Sequence, residues 1–433
     1  MYKRNREFLQ KPNFKRIFFS SYLGNTLETY DFVLCGILAQ KMSQVFFPSN
    51  NPTASLLLMF IAYGVGFVSR PLGAIIFGYL GDIRGRKTAL FYSLLGMSFC
   101  TAGCGLLPGY DTIGATSSIL FCVFRILQGI CIGGEAQGGS TFVIEHFWNR
   151  SPASYGAFFA TSNGLGALLA TAVSLAFLTL NPENSHIWRY PFILGAFVGG
   201  VGFFIRRYVP ETAIFEEFSL NAKSQATQEN PLLSSLKYNT SGCVRAFFYF
   251  SLISSITQFG FTFISVYLST FAGFEKKTSL GLACLGTLLA MSGVAITGIL
   301  LKYCHCKLNQ LVRIGAWSAF ILAPLVMVLL ETKNFIGILI GLILIGLFTG
   351  LLCGIAPYFI ALQFRHSNRF SGSALINNLA SGLVGGFFPT IGLFMINKFQ
   401  ISVLPGIYIS GLSLLFLIVN YFFKKDEGFH EET

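Results

Sequence analysis

Five charged residues stand well inside otherwise apolar stretches: Glu28, Asp31, Arg70, Arg125 and Glu135. A charge at the centre of a bilayer costs roughly 2.5–3.5 kcal/mol on insertion scales, so such residues are kept for pairing or for function. Glu28 and Asp31 are three apart in "LGNTLETYDF", which puts both on one side of a helix. Arg125, Gln128 and Glu135 fall within a sector of about 80° at 3.6 residues per turn. That polar stripe runs beside the glycines of "RILQGICIGGEAQGG", whose four-residue spacing lets helix backbones approach closely. Counting depth at about 1.5 Å per residue places Glu28 near mid-membrane and Asp31 one turn farther out. The expected pairing is Asp31 with Arg125 and Glu135 with Arg70, leaving Glu28 the least compensated carboxylate. Such a group can take up and release a proton, which a permanently paired one does poorly. The alternative is a structural ion network of all five. No histidine competes for the proton, because His146, His186, His305, His366 and His430 fall in loops or tails.

The elements that carry these residues follow from composition. The chain has 433 residues, 53% hydrophobic and only 11% charged, with a mean hydropathy of +0.64. A water-soluble domain is about a quarter charged, and a spanning helix needs roughly 20 mainly apolar residues. Reading the apolar runs in order predicts an all-α membrane protein with spans at 17–39, 54–80, 88–107, 115–144, 153–180, 189–208, 244–271, 279–302, 311–330, 335–362, 370–397 and 402–423. Barrel strands would alternate every second residue, and these runs do not. The polar interval at 210–243 divides them six and six, so the expected domains are a cytoplasmic tail 1–16, a bundle 17–209, a linker 210–243, a second bundle 244–423 and a tail 424–433. Most of the 30 basic residues fall in alternate loops and the two tails, which orients both termini to the cytoplasm. The net charge of +12 therefore reads as topology and not as a nucleic-acid surface.

Other chemistry is not expected. The ten cysteines lie mostly within spans, where they act as small hydrophobes. "YCHCK" at Cys304, His305 and Cys306 lacks a second ligand pair at zinc-site spacing. No G-x-S-x-G, H-E-x-x-H or complete P-loop appears, so neither an enzyme nor a cofactor is expected.

"GYLGDIRGRK", between the second and third spans, resembles the signature loop of the major facilitator superfamily, and "RILQG" resembles its fourth-span motif. "GNTLETYDF", "SRPLGAIIFGYLGD", "RILQGICIGGEAQGG" and "WRYPFILGAFVGGVGFFIRRYVPETAIFEE" resemble the metabolite:proton symporter branch, which includes proline/betaine, α-ketoglutarate, citrate and shikimate permeases. The resemblance implies two six-helix bundles rocking about a central site, with import of a small organic solute coupled to proton entry. It implies working roles for Glu28, Tyr30 and Asp31 of the first span and Arg125 of the fourth; together with the residue reading, the expected proton-coupling groups are Glu28, Asp31 and Glu135, and the expected substrate contacts Tyr30, Arg70, Arg125, Gln128 and Asn378. It implies a cytoplasmic gate of Asp82, Arg84, Gly85, Arg86 and Lys87, and the position of Glu145 at the cytoplasmic end of the fourth span suits it to receive Arg86. The setting implied is the inner membrane of a bacterial cell, with the lipid bilayer as surroundings and a functional monomer. The alternative is an exporting proton antiporter of the same superfamily, but those commonly carry Gly-Pro in the fifth span, and Thr161 to Val173 contains no proline. The counterpart loop of the second half, "GILLKYCHCK", keeps the first glycine and last lysine but has Lys302 and Cys306 where Asp82 and Arg86 stand.

Overall fold

A computed structural model of the chain describes residues 14–84, 86–133, 138–148, 151–180, 186–207, 239–303, 307–364 and 369–423. Its helices overlie every apolar run named above. In the first half they are α1 (Phe14–Ile37), α2 (Ala39–Phe46), α3 (Pro52–Val68), α4 (Arg70–Arg84), α5 (Arg86–Leu106), α6 (Tyr110–Ile113), α7 (Ala115–Gly133), α8 (Gly138–His146), α9 (Pro152–Leu180) and α10 (Arg189–Arg207). In the second half they are α11 (Thr240–Gln258), α12 (Ile264–Thr270), α13 (Lys276–Tyr303), α14 (Leu308–Glu331), α15 (Phe335–Ala361), α16 (Arg369–Leu383), α17 (Phe388–Phe399) and α18 (Leu404–Phe422). Among the described residues, nine helical stretches are long and apolar enough to cross a membrane, and Phe91–Leu106 is a shorter apolar one. α1 is not among the nine: the polar residues that bring chemistry into it lower its hydropathy.

Local sequence explains where helices start and break. Asn51 caps α3, its side-chain oxygen accepting from the Thr53 and Ala54 N–H groups at 2.9 and 3.4 Å, and Pro52 supplies the fixed φ suited to the first turn. α3 gives way to α4 at Arg70, one residue before Pro71, whose ring cannot donate a backbone bond. Between α11 and α12 the chain makes a π-helical turn at Phe259–Phe263, an insertion that re-aims neighbouring side chains and recurs at functional sites.

α7 packs on α3 and α4 through glycines. A side chain on Gly129 would overlap the Gly66 carbonyl, one on Gly133 the Arg70 carbonyl, and one on Gly73 the Ile130 carbonyl. The Ser69 hydroxyl, at the junction of α3 and α4, reaches the carbonyls of Gly66 at 3.0 Å and Ile126 at 2.9 Å. The expected close approach of the fourth span is therefore present, and its partner is the second span.

Two large apolar cores result. One is built from residues between Cys243 and Phe416. The other draws mainly on residues between Tyr30 and Phe192, with Phe261, Val266, Leu280, Ala290 and Leu393 added from the second half. The halves also meet directly. Tyr63 donates to Gln258 Oε1 at 3.0 Å, Ser154 to the Gly298 carbonyl at 2.8 Å, and Asn378 Nδ2 to the Gly133 carbonyl at 3.0 Å.

Candidate functional site

A cavity of about 220 Å³ lies between the halves. α1 contributes Asn25, Glu28 and Phe32, α4 contributes Arg70, and α9 contributes Asn163. From the second half come Ser254, Thr257 and Gln258 of α11, Thr349 of α15, and Asn377 and Ser381 of α16. Among these lining residues Glu28 and Arg70 carry the charge. Glu28 acts electrostatically on the Arg70 guanidinium, as do Tyr63 and Arg125. The volume is below the roughly 300–1,000 Å³ of pockets that hold drug-sized molecules, so it suits a small solute.

Arg70 is held by aromatic faces. Its guanidinium carbon lies 4.2 Å from the Phe67 ring centroid and 4.3 Å from that of Phe32. Its Nε makes no hydrogen bond. Cation–π contacts are worth from about 0.5–1 kcal/mol at exposed sites to about 2 kcal/mol or more when desolvated. Phe32 meets Phe67 edge-on at 4.5 Å and Tyr63 at 5.4 Å, so the three rings form one cluster.

Behind the cavity, within the first half, lies a second polar system. Arg125 is fully buried; its Nη1 donates to Gln128 Oε1 at 2.6 Å, and Gln128 Nε2 donates to the Thr101 hydroxyl at 2.9 Å. Thr101 in turn lies beside Asp31. Arg125 also sits over the rings of Phe32 and Tyr63, at 4.4 and 5.1 Å, while its Nε and Nη2 make no hydrogen bond. Gly66 makes room for that guanidinium: a Cβ there would be 3.3 Å from Nη2. Asp31 is 2% exposed, and its Oδ1 accepts no hydrogen bond. That oxygen abuts Gly195 of α10, where a Cβ would come within 2.5 Å of it.

The arrangement differs from the expected pairing in a specific way. Arg125 and Asp31 are linked through Gln128 and Thr101, with no direct ion pair among the described residues. Glu28 is not the isolated carboxylate, because Arg70 is its electrostatic neighbour. Tyr30 is turned from the cavity, its hydroxyl donating to the Pro191 carbonyl at 2.9 Å. Gln128 and Asn378 are buried away from the cavity wall, and Asn378 ties the halves together with its Oδ1 left without a partner. Glu145 is half-buried at the end of α8 and engaged with a neighbour. Glu135 and Gly85, and the side chains of Asp82, Arg84, Arg86 and Lys87, lie outside the described residues, as do Cys304, His305 and Cys306.

Four residues were not singled out in the sequence, three around these charged groups and one in the second half. Phe32, Tyr63 and Thr101 organise the charged groups, and of these Phe32 was findable, one helical turn after Glu28. The fourth is Arg245, whose position suggests a cytoplasmic loop charge. It is 3% exposed in the second half, its guanidinium donating to Asn420 Oδ1 at 2.8 and 3.2 Å and to Asn309 Oδ1 at 3.4 Å. The second half thus contains a buried charge, solvated by amides.

Membrane-length helices around a polar cavity walled by a carboxylate and a guanidinium have the make-up of a multi-pass membrane transport protein. The sequence profile of the Major Facilitator Superfamily matches residues 19–389, and the chain belongs to that family. It is similar to the proline/betaine transporter of Escherichia coli (strain K12), at 26% identity over 420 residues that cover 93% of this chain and 82% of that one. In fold it is similar to the E. coli xylose transporter XylE in a partially occluded inward-open conformation, with a TM-score of 0.72, 16% identity, and 95% and 98% of the two chains covered. It is likewise similar to the proton:xylose symporter XylE bound to 6-bromo-6-deoxy-D-glucose, with a TM-score of 0.73, 14% identity, and 95% and 96% covered.

Proposed function

We propose that the chain is a proton-coupled symporter that imports a small organic solute, such as proline, a betaine or a carboxylate, by alternating access. The observation that carries this reading is the small cavity between the halves, walled by one carboxylate and one guanidinium. Arg70 offers a carboxylate a charge-assisted, bidentate partner, with Glu28 beside it. Asp31, reached through Thr101, Gln128 and Arg125, is the proton carrier of this reading, because it is buried against α10 while Glu28 has the Arg70 guanidinium as its electrostatic neighbour. Twelve crossings in two bundles, cytoplasmic termini, a bacterial inner-membrane setting and a functional monomer belong to the same proposal, as does the cytoplasmic gate of Asp82, Arg84, Gly85, Arg86, Lys87 and Glu145. The proposed part of Glu135 is to assist coupling, and that of Tyr30, Gln128 and Asn378 is to shape the site from behind its wall.

The test is uptake of radiolabelled proline, betaine and mono-, di- and tricarboxylates into right-side-out membrane vesicles, with and without an imposed proton gradient. Accumulation that rises as the outer pH falls and collapses with a protonophore supports the reading. Accumulation that ignores the protonophore overturns symport, and uptake confined to inverted vesicles would make the protein an exporter.

A further inference from the structure

One ring serves two cations, Arg125 fully buried and Arg70 half-buried on the cavity wall. Arg70 and Arg125 lie 4.3 and 4.4 Å from the centroid of Phe32, a residue 2% exposed whose ring also forms part of the cavity wall. Like charges at this separation repel, and Arg125 does act unfavourably on Arg70. No carboxylate among the described residues forms an ion pair with Arg125; what holds it are Gln128 and the rings of Phe32 and Tyr63. The attraction of each guanidinium to the negative face of an aromatic ring compensates the repulsion without neutralising either charge.

We propose that Phe32 is a positioning residue that couples the proton site to the solute cavity by holding Arg70 and Arg125 against one ring. The proposal rests on the symport reading above. Asp31 precedes Phe32 in the chain and faces α10, while Phe32 and Glu28, four residues apart, both face the cavity. A proton arriving on Asp31 changes the partner of Thr101 and, through Gln128, the hold on the Arg125 guanidinium. The field of Arg125 then acts differently across the Phe32 ring on Arg70, shifting it relative to Glu28 and the solute. Tyr63, the second ring under Arg125, hydrogen-bonds Gln258 of the opposite half at 3.0 Å. The same displacement therefore reaches a contact that must break when the halves separate. The titratable groups facing this unit are Glu28 and Tyr63 toward Arg70, and Asp31, Cys35, Cys100, Cys104 and Cys122 in the surroundings of Arg125.

The experiment replaces Phe32 with mono-, di- and trifluorophenylalanine in the full-length protein. Shape is nearly constant along the series while the ring face loses its negative potential. Two quantities are read: accumulation of radiolabelled proline and betaine relative to their exchange without a gradient, and the pH midpoint of the Asp31 carboxyl infrared band in purified protein. The band is assigned by subtraction of the Asp31→Asn spectrum and needs no solute. The expected result is a stepwise fall in the accumulation-to-exchange ratio, about tenfold across the series as cation–π attraction is lost, with a stepwise movement of the infrared midpoint. Phe32→Leu should lie beyond the trifluoro variant. A midpoint and a ratio that stay flat along the series overturn the clamp, because a ring that merely fills space is indifferent to fluorine. A wild-type protein whose accumulation ignores a protonophore overturns it by the other route, through the functional reading itself.

Discussion

Glu28 and Asp31 are three residues apart on α1, which turns their side chains about 60° from one another. That angle is enough to send Glu28 to the cavity and Asp31 to the face packed on α10. Two carboxylates on one helix thus meet different surroundings, and the proposed function gives them different work. Asp31→Asn, which cannot bind a proton, is expected to lower accumulation by roughly 5- to 150-fold, the range of a 1–3 kcal/mol coupling between sites. Its remaining downhill uptake should no longer depend on outer pH, as a pH series in energised and de-energised vesicles would reveal. Glu28→Gln keeps the pH dependence but raises KM at least about tenfold, the effect of losing one charged hydrogen-bonding partner; an unchanged KM would remove Glu28 from solute contact. The five intramembrane charges were legible as exceptions to an apolar background. Their partners were not, because residue counting fixes depth along a span but not which neighbour each face meets. Arg125 and Asp31 stand at compatible depths, yet Gln128 and Thr101 intervene. Arg245 was missed for a related reason: it sits near a span end, where a basic residue reads equally well as a topological signal.

Helices in this fold are placed by what glycine permits. α7 lies against α3 and α4 so closely that backbone carbonyls occupy the space a side chain would need at Gly129 and Gly133. This contact fixes the height of Arg125 relative to Arg70, since the first follows from α7 and the second from the start of α4. Gly129→Leu is therefore expected to destabilise the protein by about 1–3 kcal/mol or more, as overpacking does. Gly411 of α18 is a contrasting position, exposed and with nothing within 4 Å of where a Cβ would stand. Gly411→Ala should stabilise by about 0.4–1 kcal/mol through the unfolded chain. Thermal unfolding in detergent, followed by tryptophan fluorescence, gives both signs in one experiment; equal shifts would refute the packing account. The "GICIGG" spacing announced a close approach, and the structure adds the partner. The break at Ser69 follows from Pro71, but the sequence could not announce the π-helical turn at Phe259–Phe263, because it depends on how α1 of the opposite half fits against it at Gly36.

Alternating access is a property of the whole molecule, and it requires that some contacts between the halves be temporary. Gly36 of α1 and Thr262 of the π-helical turn mark one such contact: a Cβ on Gly36 would lie 3.4 Å from the Thr262 Cβ. Disulfides span Cβ separations of about 3.5–4.5 Å, so Gly36→Cys together with Thr262→Cys can be joined with little backbone movement. Native cysteines near this contact, Cys35 among them, are free and should be replaced first, so that the introduced pair alone is oxidised. In that background the reduced double variant should take up solute at a measurable rate. Oxidation should stop uptake, and reductant should restore it, because the bond pins α1 to the opposite half. Solute binding, followed by protection of an engineered thiol in the cavity, should persist in the locked form if the cavity forms while this contact is closed. Full uptake by a demonstrably oxidised protein would show that the halves do not part at Gly36 and Thr262. Rocking of the bundles would then have to pivot on this contact, with the opening confined to the opposite side, where Ser154 meets the Gly298 carbonyl.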